Sequence, residues 1–224
     1  MSVSVVVLAA GKGTRMKSDL PKVLHKVLGR PLLVHALDKL SFIENQYVVV
    51  GHESDMVINS LPSSTKHILQ KDQLGTGHAV ATVVSDDLFV KNKSEFTVVV
   101  PGDVPAIDSK DIKLLISEVE TKSSPVGFLT AIVDNPYGYG RVIRNNEETR
   151  IVEEKDCIDG EREINEINSG VYCFKTDFLI ENIDSLDTKN AQGEFYLTDL
   201  IGIANNQKQD IVIVQVDENS IKGI

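Results

Sequence analysis

Five short, almost wholly apolar runs rich in β-branched residues, separated by stretches with helical spacing, constrain this chain more than any other feature. The runs are Val3–Leu8, Tyr47–Val50, Phe96–Val100, Val126–Val133 and Ile211–Val216. A strand with one wet face alternates apolar and polar residues, whereas a strand covered on both faces reads as a continuous apolar run. Between the runs, Leu32, Leu33, Ala36, Leu37 and Leu40 recur at helical spacing, with Pro31 suited to the first helical turn. Ile112, Leu115, Ile116 and Val119 form a second stripe, with Asp108 or Ser109 placed to cap its free amides. Strand alternating with helix predicts an α/β fold built on a doubly wound, mostly parallel sheet.

That rhythm breaks from Asn135 to Tyr172, which holds Asn135-Pro136, the turn Gly138-Tyr139-Gly140 and a charged segment from Asp156 to Glu166. The stretch is predicted to be an insertion of short strands that forms a second wall over the sheet, not a separate domain. A length of 224 residues suits one large α/β domain.

The formal net charge of −10 argues against nonspecific binding to nucleic acid or to anionic membranes. It leaves room for a local cationic pocket. No apolar run approaches the roughly 20 residues that span a bilayer, and no basic stretch precedes an apolar core at the N-terminus, so a cytoplasmic protein is expected. Cys157 and Cys173 lie far apart and outside any CxxC pair, which predicts reduced thiols. His25, His35, His52, His67 and His78 show no metal-ligand spacing.

Ligands of open α/β sheets bind beyond the carboxyl ends of the strands, so the residues after each run carry the functional signal. The first run leads into Leu8-Ala9-Ala10-Gly11-Lys12-Gly13-Thr14-Arg15-Met16. Small residues and glycines let the backbone approach a ligand closely and present N–H groups to phosphates. Met16 stands where a dinucleotide fingerprint or a Walker A loop needs glycine, although Thr97–Val100 leading to Asp103 resembles the acidic strand of P-loop proteins. Farther on, Pro21-Lys22 fixes a lysine behind a proline, and Arg15 adds a second cation for the diffuse charge of a triphosphate.

This pattern resembles the nucleotidyltransferases that activate sugar phosphates and polyol phosphates. Three later segments narrow the resemblance: Gln70-Lys71-Asp72-Gln73-Leu74-Gly75-Thr76-Gly77-His78-Ala79, Gly102-Asp103-Val104-Pro105 and Gly138-Tyr139-Gly140-Arg141. Glu153-Glu154-Lys155-Asp156, Glu166-Ile167-Asn168-Ser169-Gly170 and Asn190 through Asp199 extend it. Nearly the whole chain is similar, in order, to the N-terminal domain of the bifunctional N-acetylglucosamine-1-phosphate uridylyltransferases and glucosamine-1-phosphate acetyltransferases. The resemblance implies a Rossmann-like nucleotide-diphospho-sugar transferase fold with an inserted, sugar-binding β segment.

It also implies roles. Leu8, Ala9, Ala10 and Gly11 are expected at the uridine part, with Arg15 and Lys22 as the catalytic cations near the phosphates. Gln70 and Gln73 are expected at the uracil edge, with Gly75 and Thr76 beside them. Asp103, in the turn Pro101-Gly102-Asp103, is expected to ligate Mg²⁺; the family often carries an aromatic residue where this chain has Pro101. Gly140, Glu153 and Asn168 are expected around the N-acetylglucosamine. Glu154 has the same chemistry as Glu153, and only motif alignment chooses between them; Tyr139 could stack on a sugar or hold its turn. Cys173, His25 and His78 are assigned to packing or supporting positions.

The implied reaction joins UTP and N-acetylglucosamine 1-phosphate to give UDP-N-acetylglucosamine and pyrophosphate, by in-line attack of the sugar phosphate oxygen on the α-phosphorus. Residues 1–224 are expected to form the pyrophosphorylase domain. The asparagine that supplies a second metal ligand in the family, and its C-terminal left-handed β-helix acetyltransferase domain, are expected to be absent. The family's trimer is held largely by that domain, which leaves a homo-oligomer open. Two other readings compete: a related transferase using another base or sugar, and a catalytically weak nucleotide-sugar-binding module.

Overall fold

The structure is a computed structural model that describes residues 1–11, 13, 18, 20–63, 65–145 and 148–221. Its strands in chain order begin with β1 (Val3–Ala9), β2 (Lys26–Val27), β3 (Arg30–Pro31), β4 (Asn45–Val50) and β5 (Lys66–Leu69). They continue with β6 (Phe96–Pro101), β7 (Val126–Ile132), β8 (Arg141–Arg144), β9 (Thr149–Val152), β10 (Glu166–Lys175) and β11 (Ile211–Gln215). The helices are α1 (Leu32–Lys39), α2 (Ser54–Ser60), α3 (Thr76–Val84) and α4 (Asp87–Lys91), then α5 (Ser109–Thr121), α6 (Thr176–Asn182) and α7 (Asp199–Asn206).

The main sheet runs β11-β7-β10-β6-β1-β4-β5. All five predicted runs are strands within it. β6, β1, β4 and β5 pair in parallel, as do β7 and β11, while β10 runs antiparallel between β6 and β7. The sheet is therefore mostly parallel, as expected, with one reversed strand inside it.

Alternate residues of each central run feed opposite layers, which is why the runs carry no polar face. Val5, Val7, Val48, Val50, Val98 and Val100 pack with Leu33 and Leu37 of α1, Val57 of α2, and Ile112, Leu115 and Val119 of α5. Val6, Val49 and Val99 pack instead with Val80 and Val83 of α3, Phe89 of α4, Leu179 of α6, and Leu200 and Ile201 of α7. Each such valine contributes about 1.5–3 kcal/mol by leaving water. Both predicted helical stripes are buried. Asp108 caps α5, its carboxylate accepting from the Lys110 N–H at 2.9 Å. Pro31 sits at the cap of α1, one residue ahead of its first helical residue.

The 135–172 stretch joins the same sheet: β9 pairs with β8, and β8 pairs with β10 through Arg141 and Ile167. It does not consist of short strands alone, because β10 is ten residues long and extends past Tyr172 to Lys175. A register shift between Asn168 and Tyr172 bends β10 at Gly170, whose φ is 77°.

The order of the strands fixes where a ligand can sit. The chain passes from β1 to β4 and β5 on one side, then returns to β6 on the other side of β1. Such a reversal leaves a crevice at the carboxyl ends of the two strands it separates. Because β10 is reversed, its amino-terminal half reaches that same edge.

Candidate functional site

A cleft of about 850 Å³ occupies this edge. Its floor is the end of β1, with Leu8, Ala9, Ala10 and Gly11 in the wall. Gly102 is not in the wall. It lies buried beneath, donating its N–H to the Leu8 carbonyl at 2.9 Å, and a Cβ there would approach that oxygen to 2.9 Å. Its part is to let β6 end close against β1. Pro101 is in the wall and meets Gly170, whose missing Cβ would fall 2.9 Å from Pro101 Cγ. Arg15 lies outside the described residues, as do Lys12, Thr14 and Met16.

Lys22 is presented by a single 3₁₀ turn, Lys22–Leu24, entered through Pro21. Val23 and Leu24 are buried and anchor the turn. Across the cleft floor Lys22 Nζ lies 2.5 Å from Asp103 Oδ2. The two charged residues read from separate motifs thus form an ion pair.

The Gln70–Gly75 loop forms one wall. Gln70 Nε2 lies 2.9 Å from His78 Nδ1 and donates to the Gly75 carbonyl at 3.4 Å. Gln73 Nε2 donates back to the carbonyls of Gln70 and Lys71 at 3.0 and 3.2 Å. The loop is locked to the segment after Asn190, because the Phe195 N–H bonds the Leu74 carbonyl and the Gly77 N–H bonds the Phe195 carbonyl, each at 2.8 Å. Thr76 Oγ1 accepts from the Leu197 N–H at 3.1 Å.

The opposite wall comes from the insertion. Gly140, Glu153 and Asn168 all line the cleft. Geometry separates the two neighbouring glutamates that chemistry could not. Glu154 accepts from the Gly138 N–H at 3.0 Å and from Arg141 Nη2 at 2.7 Å, so it braces the Gly138-Tyr139-Gly140 turn. Burial raises the Glu154 carboxyl, but those two donors more than offset it and hold the group below the usual carboxylate range. Glu153 faces Gly140, where an added Cβ would stand 3.5 Å from its carboxylate oxygens. Asn168 is largely committed within the wall, donating to Tyr172 Oη at 2.6 Å and accepting from the Gly170 N–H at 3.1 Å.

Sequence reasoning did not assign Arg141, which is 1% exposed and holds the Tyr139 carbonyl, Glu154 and the Arg162 carbonyl together. Its signal was an arginine directly after a Gly-Tyr-Gly turn, where a charge enters a strand. Tyr172, Glu194, Leu197 and Thr198 also line the cleft unforeseen.

Burial pushes the Glu153 carboxyl above its ordinary value of 4.5; Thr198 opposes the rise, and Asp156, Asp199 and Glu194 reinforce it. A carboxyl whose folded value is raised holds its proton more tightly when folded. The stability linked to that proton is complete below 4.5 and is lost as pH rises through the folded value. Glu153→Gln should therefore raise Tm at pH 8, with the gain disappearing below pH 4.5. Thermal melts of both proteins across that range test it, and a pH-independent difference would remove burial of the charge as the cause.

Residues 5–145 match the family of MobA-like NTP transferase domains. The Bifunctional protein GlmU of Fervidobacterium nodosum is 46% identical over 216 residues, which is 96% of this chain and 47% of that protein. Those of Lactococcus lactis subsp. lactis and Clostridium beijerinckii are 44% and 42% identical, over 97% and 98% of this chain and 48% of each protein. The chain spans about half the length of the curated relatives it matches. A proposed glucose-1-phosphate thymidylyltransferase from Bacillus anthracis, solved with a sucrose, shares the fold with a TM-score of 0.77 at 21% identity, covering 96% of this chain and 87% of that one. HddC from Yersinia pseudotuberculosis, complexed with GMP-PN, does so at 0.68 and 21% identity, covering 96% and 91%. With the match to residues 5–145 taking in well over half its length, the chain belongs to the MobA-like NTP transferase domain family.

Proposed function

We propose that this chain is a uridylyltransferase that converts UTP and N-acetylglucosamine 1-phosphate into UDP-N-acetylglucosamine and pyrophosphate. The observation that carries the reading is one cleft at the strand-order reversal, with the Lys22–Asp103 pair at its floor, the two glutamines on one side and Gly140 with Glu153 on the other. A phosphate chain laid along the floor would place a base against the glutamines and a sugar against the insertion. Leu8 through Gly11 would meet the uridine part, Thr76 and Gly75 would flank the base, and Arg15 would add a cation beside Lys22.

The attacking sugar phosphate oxygen is already anionic, so the step needs no general base. Its lone pair forms the new P–O bond to the α-phosphorus as the bond to pyrophosphate breaks, and the leaving group departs with that electron pair. The protein then has to align the reactants and offset charge. Lys22 would exchange a carboxylate partner for phosphate oxygens.

The donor set suits Mg²⁺. Among the described residues no three His, Cys, Asp or Glu side chains gather into a metal cage. Mg²⁺ is commonly held by one or two carboxylates together with substrate phosphates and water, and Asp103 supplies the carboxylate. Asp103 would hold the ion, which would supply positive charge to offset that of the phosphates. Among the described residues no helix is long and apolar enough to cross a membrane, which is compatible with action in the cytoplasm.

Pyrophosphate release measured over all pairings of four NTPs with several sugar 1-phosphates tests the proposal. UTP with N-acetylglucosamine 1-phosphate should give the highest kcat/KM. A preference for CTP, or for a sugar without the acetamide, would overturn it.

A further inference from the structure

We propose that His78 is the positioning residue that makes the cleft select a nucleotide whose base carries an N3–H, uracil or thymine, over cytosine. This rests on the reading that Gln70 meets the base. His78 itself is not in the cleft wall; it sits in the first turn of α3, with its ring 6.3 Å from that of Phe195.

The hydrogen bonds fix which way the Gln70 amide points. One atom of that amide approaches both the Gly75 carbonyl, at 3.4 Å, and His78 Nδ1, at 2.9 Å. A carbonyl oxygen only accepts, so the atom facing it is the amide nitrogen. His78 Nδ1, meeting the same nitrogen, then accepts as well, which puts the imidazole proton on Nε2. Both Nε2 hydrogens of Gln70 are thereby used.

The oxygen is what remains for a ligand. Among the described residues nothing donates to Gln70 Oε1, and it is not one of the sealed, unpartnered buried atoms. Gln70 lines the cleft, so the accessible oxygen is an acceptor presented there. The rest of the residue is held still: it is 2% exposed, its N–H bonds the Val50 carbonyl at 2.8 Å, and its carbonyl accepts from Gln73. An acceptor fits the N3–H of uracil and opposes the N3 lone pair of cytosine. Without the His78 lone pair, the long bond to Gly75 alone would hold the amide, which could turn over and offer N–H groups that suit cytosine.

Equilibrium binding of UTP, TTP and CTP by calorimetry reads this without depending on the sugar half of the site. In His78→Leu the UTP-over-CTP preference should fall about tenfold, the equivalent of roughly 1.4 kcal/mol for one net hydrogen bond. TTP should move with UTP. His78→Asn, whose Oδ1 can accept from the same Gln70 nitrogen, should restore most of the preference. Gln70→Ala separates the two layers of the argument. If it leaves the preference unchanged, Gln70 does not read the base and that part of the functional reading fails. If it lowers the preference while His78→Leu does not, or while His78→Leu and His78→Asn lower it equally, His78 serves packing and the inference is wrong.

Discussion

Lys22→Ala and Asp103→Ala should each lower kcat/KM by about 10²-fold or more while Tm hardly moves. The first half follows from what the pair faces. Removing one charge partner of a transition state in which phosphate oxygens gain charge removes several kcal/mol of stabilisation, and it does so in kcat as well as kcat/KM. The second half follows from exposure. The Lys22 and Asp103 side chains retain 30% and 25% of their accessible surface, and exposed or half-exposed pairs contribute about 0–1 kcal/mol to folding. Both variants need steady-state kinetics and a melt, together with the double variant. A structural brace would give a different pattern: Tm would fall by several degrees in each single variant, the surviving folded fraction would be fully active, and the double variant would be no worse than either single one. That pattern would end the claim that this ion pair serves phosphate chemistry.

Most of the sheet could be read from the chain because burial on both faces leaves an unbroken apolar run, as Val98, Val99 and Val100 illustrate by feeding two different cores. β5 escaped notice for the converse reason. It is an edge strand whose Lys66 and His67 need not be apolar, and only Ile68 is buried in it. β10 escaped as one long strand because Asn168-Ser169-Gly170 interrupts its apolar pattern; the bulge at Gly170 is a bend made inside a continuous strand. Candidate site residues could be picked out just past a recognised strand, as Gly11 after β1 and Asp103 after β6, whereas Gln70, after the unrecognised β5, came only from the motif resemblance. Relations between distant segments were not. Nothing local says that Lys22 will pair with Asp103, that Arg141 will tie Tyr139 to Glu154, or that Gln70 will lean on His78. The motif resemblance supplied the candidate parts of the cleft, and the topology showed which parts touch.

The loop that carries the glutamines depends on another such relation, and Gly75→Ala should expose it by costing about 2–6 kcal/mol of stability and weakening nucleotide binding together. Two effects add at this position. Gly75 has φ 110° and ψ 176°, a region that side chains with a Cβ rarely enter, and holding an ordinary residue there costs about 1–3 kcal/mol. The added Cβ would also lie 2.5 Å from the Phe195 carbonyl oxygen and 2.9 Å from the Phe195 nitrogen. Those are backbone atoms that cannot rotate aside, so relief requires the 194–197 segment to lift away, at about 1–3 kcal/mol for the crowding alone. Lifting it strains the bonds from the Gly77 and Phe195 amides and from the Leu197 amide to Thr76, which are what hold the start of α3 beneath Gln70 and Gln73. Gly193→Ala is the matched control. Its φ of 64° is also left-handed, but nothing lies within 4 Å of the added Cβ. It should cost only about 1–2 kcal/mol and leave nucleotide affinity alone. Urea unfolding and UTP binding on the two variants decide the matter. Equal losses in both would mean that backbone strain, not the close approach of the two segments, is what glycine relieves at Gly75.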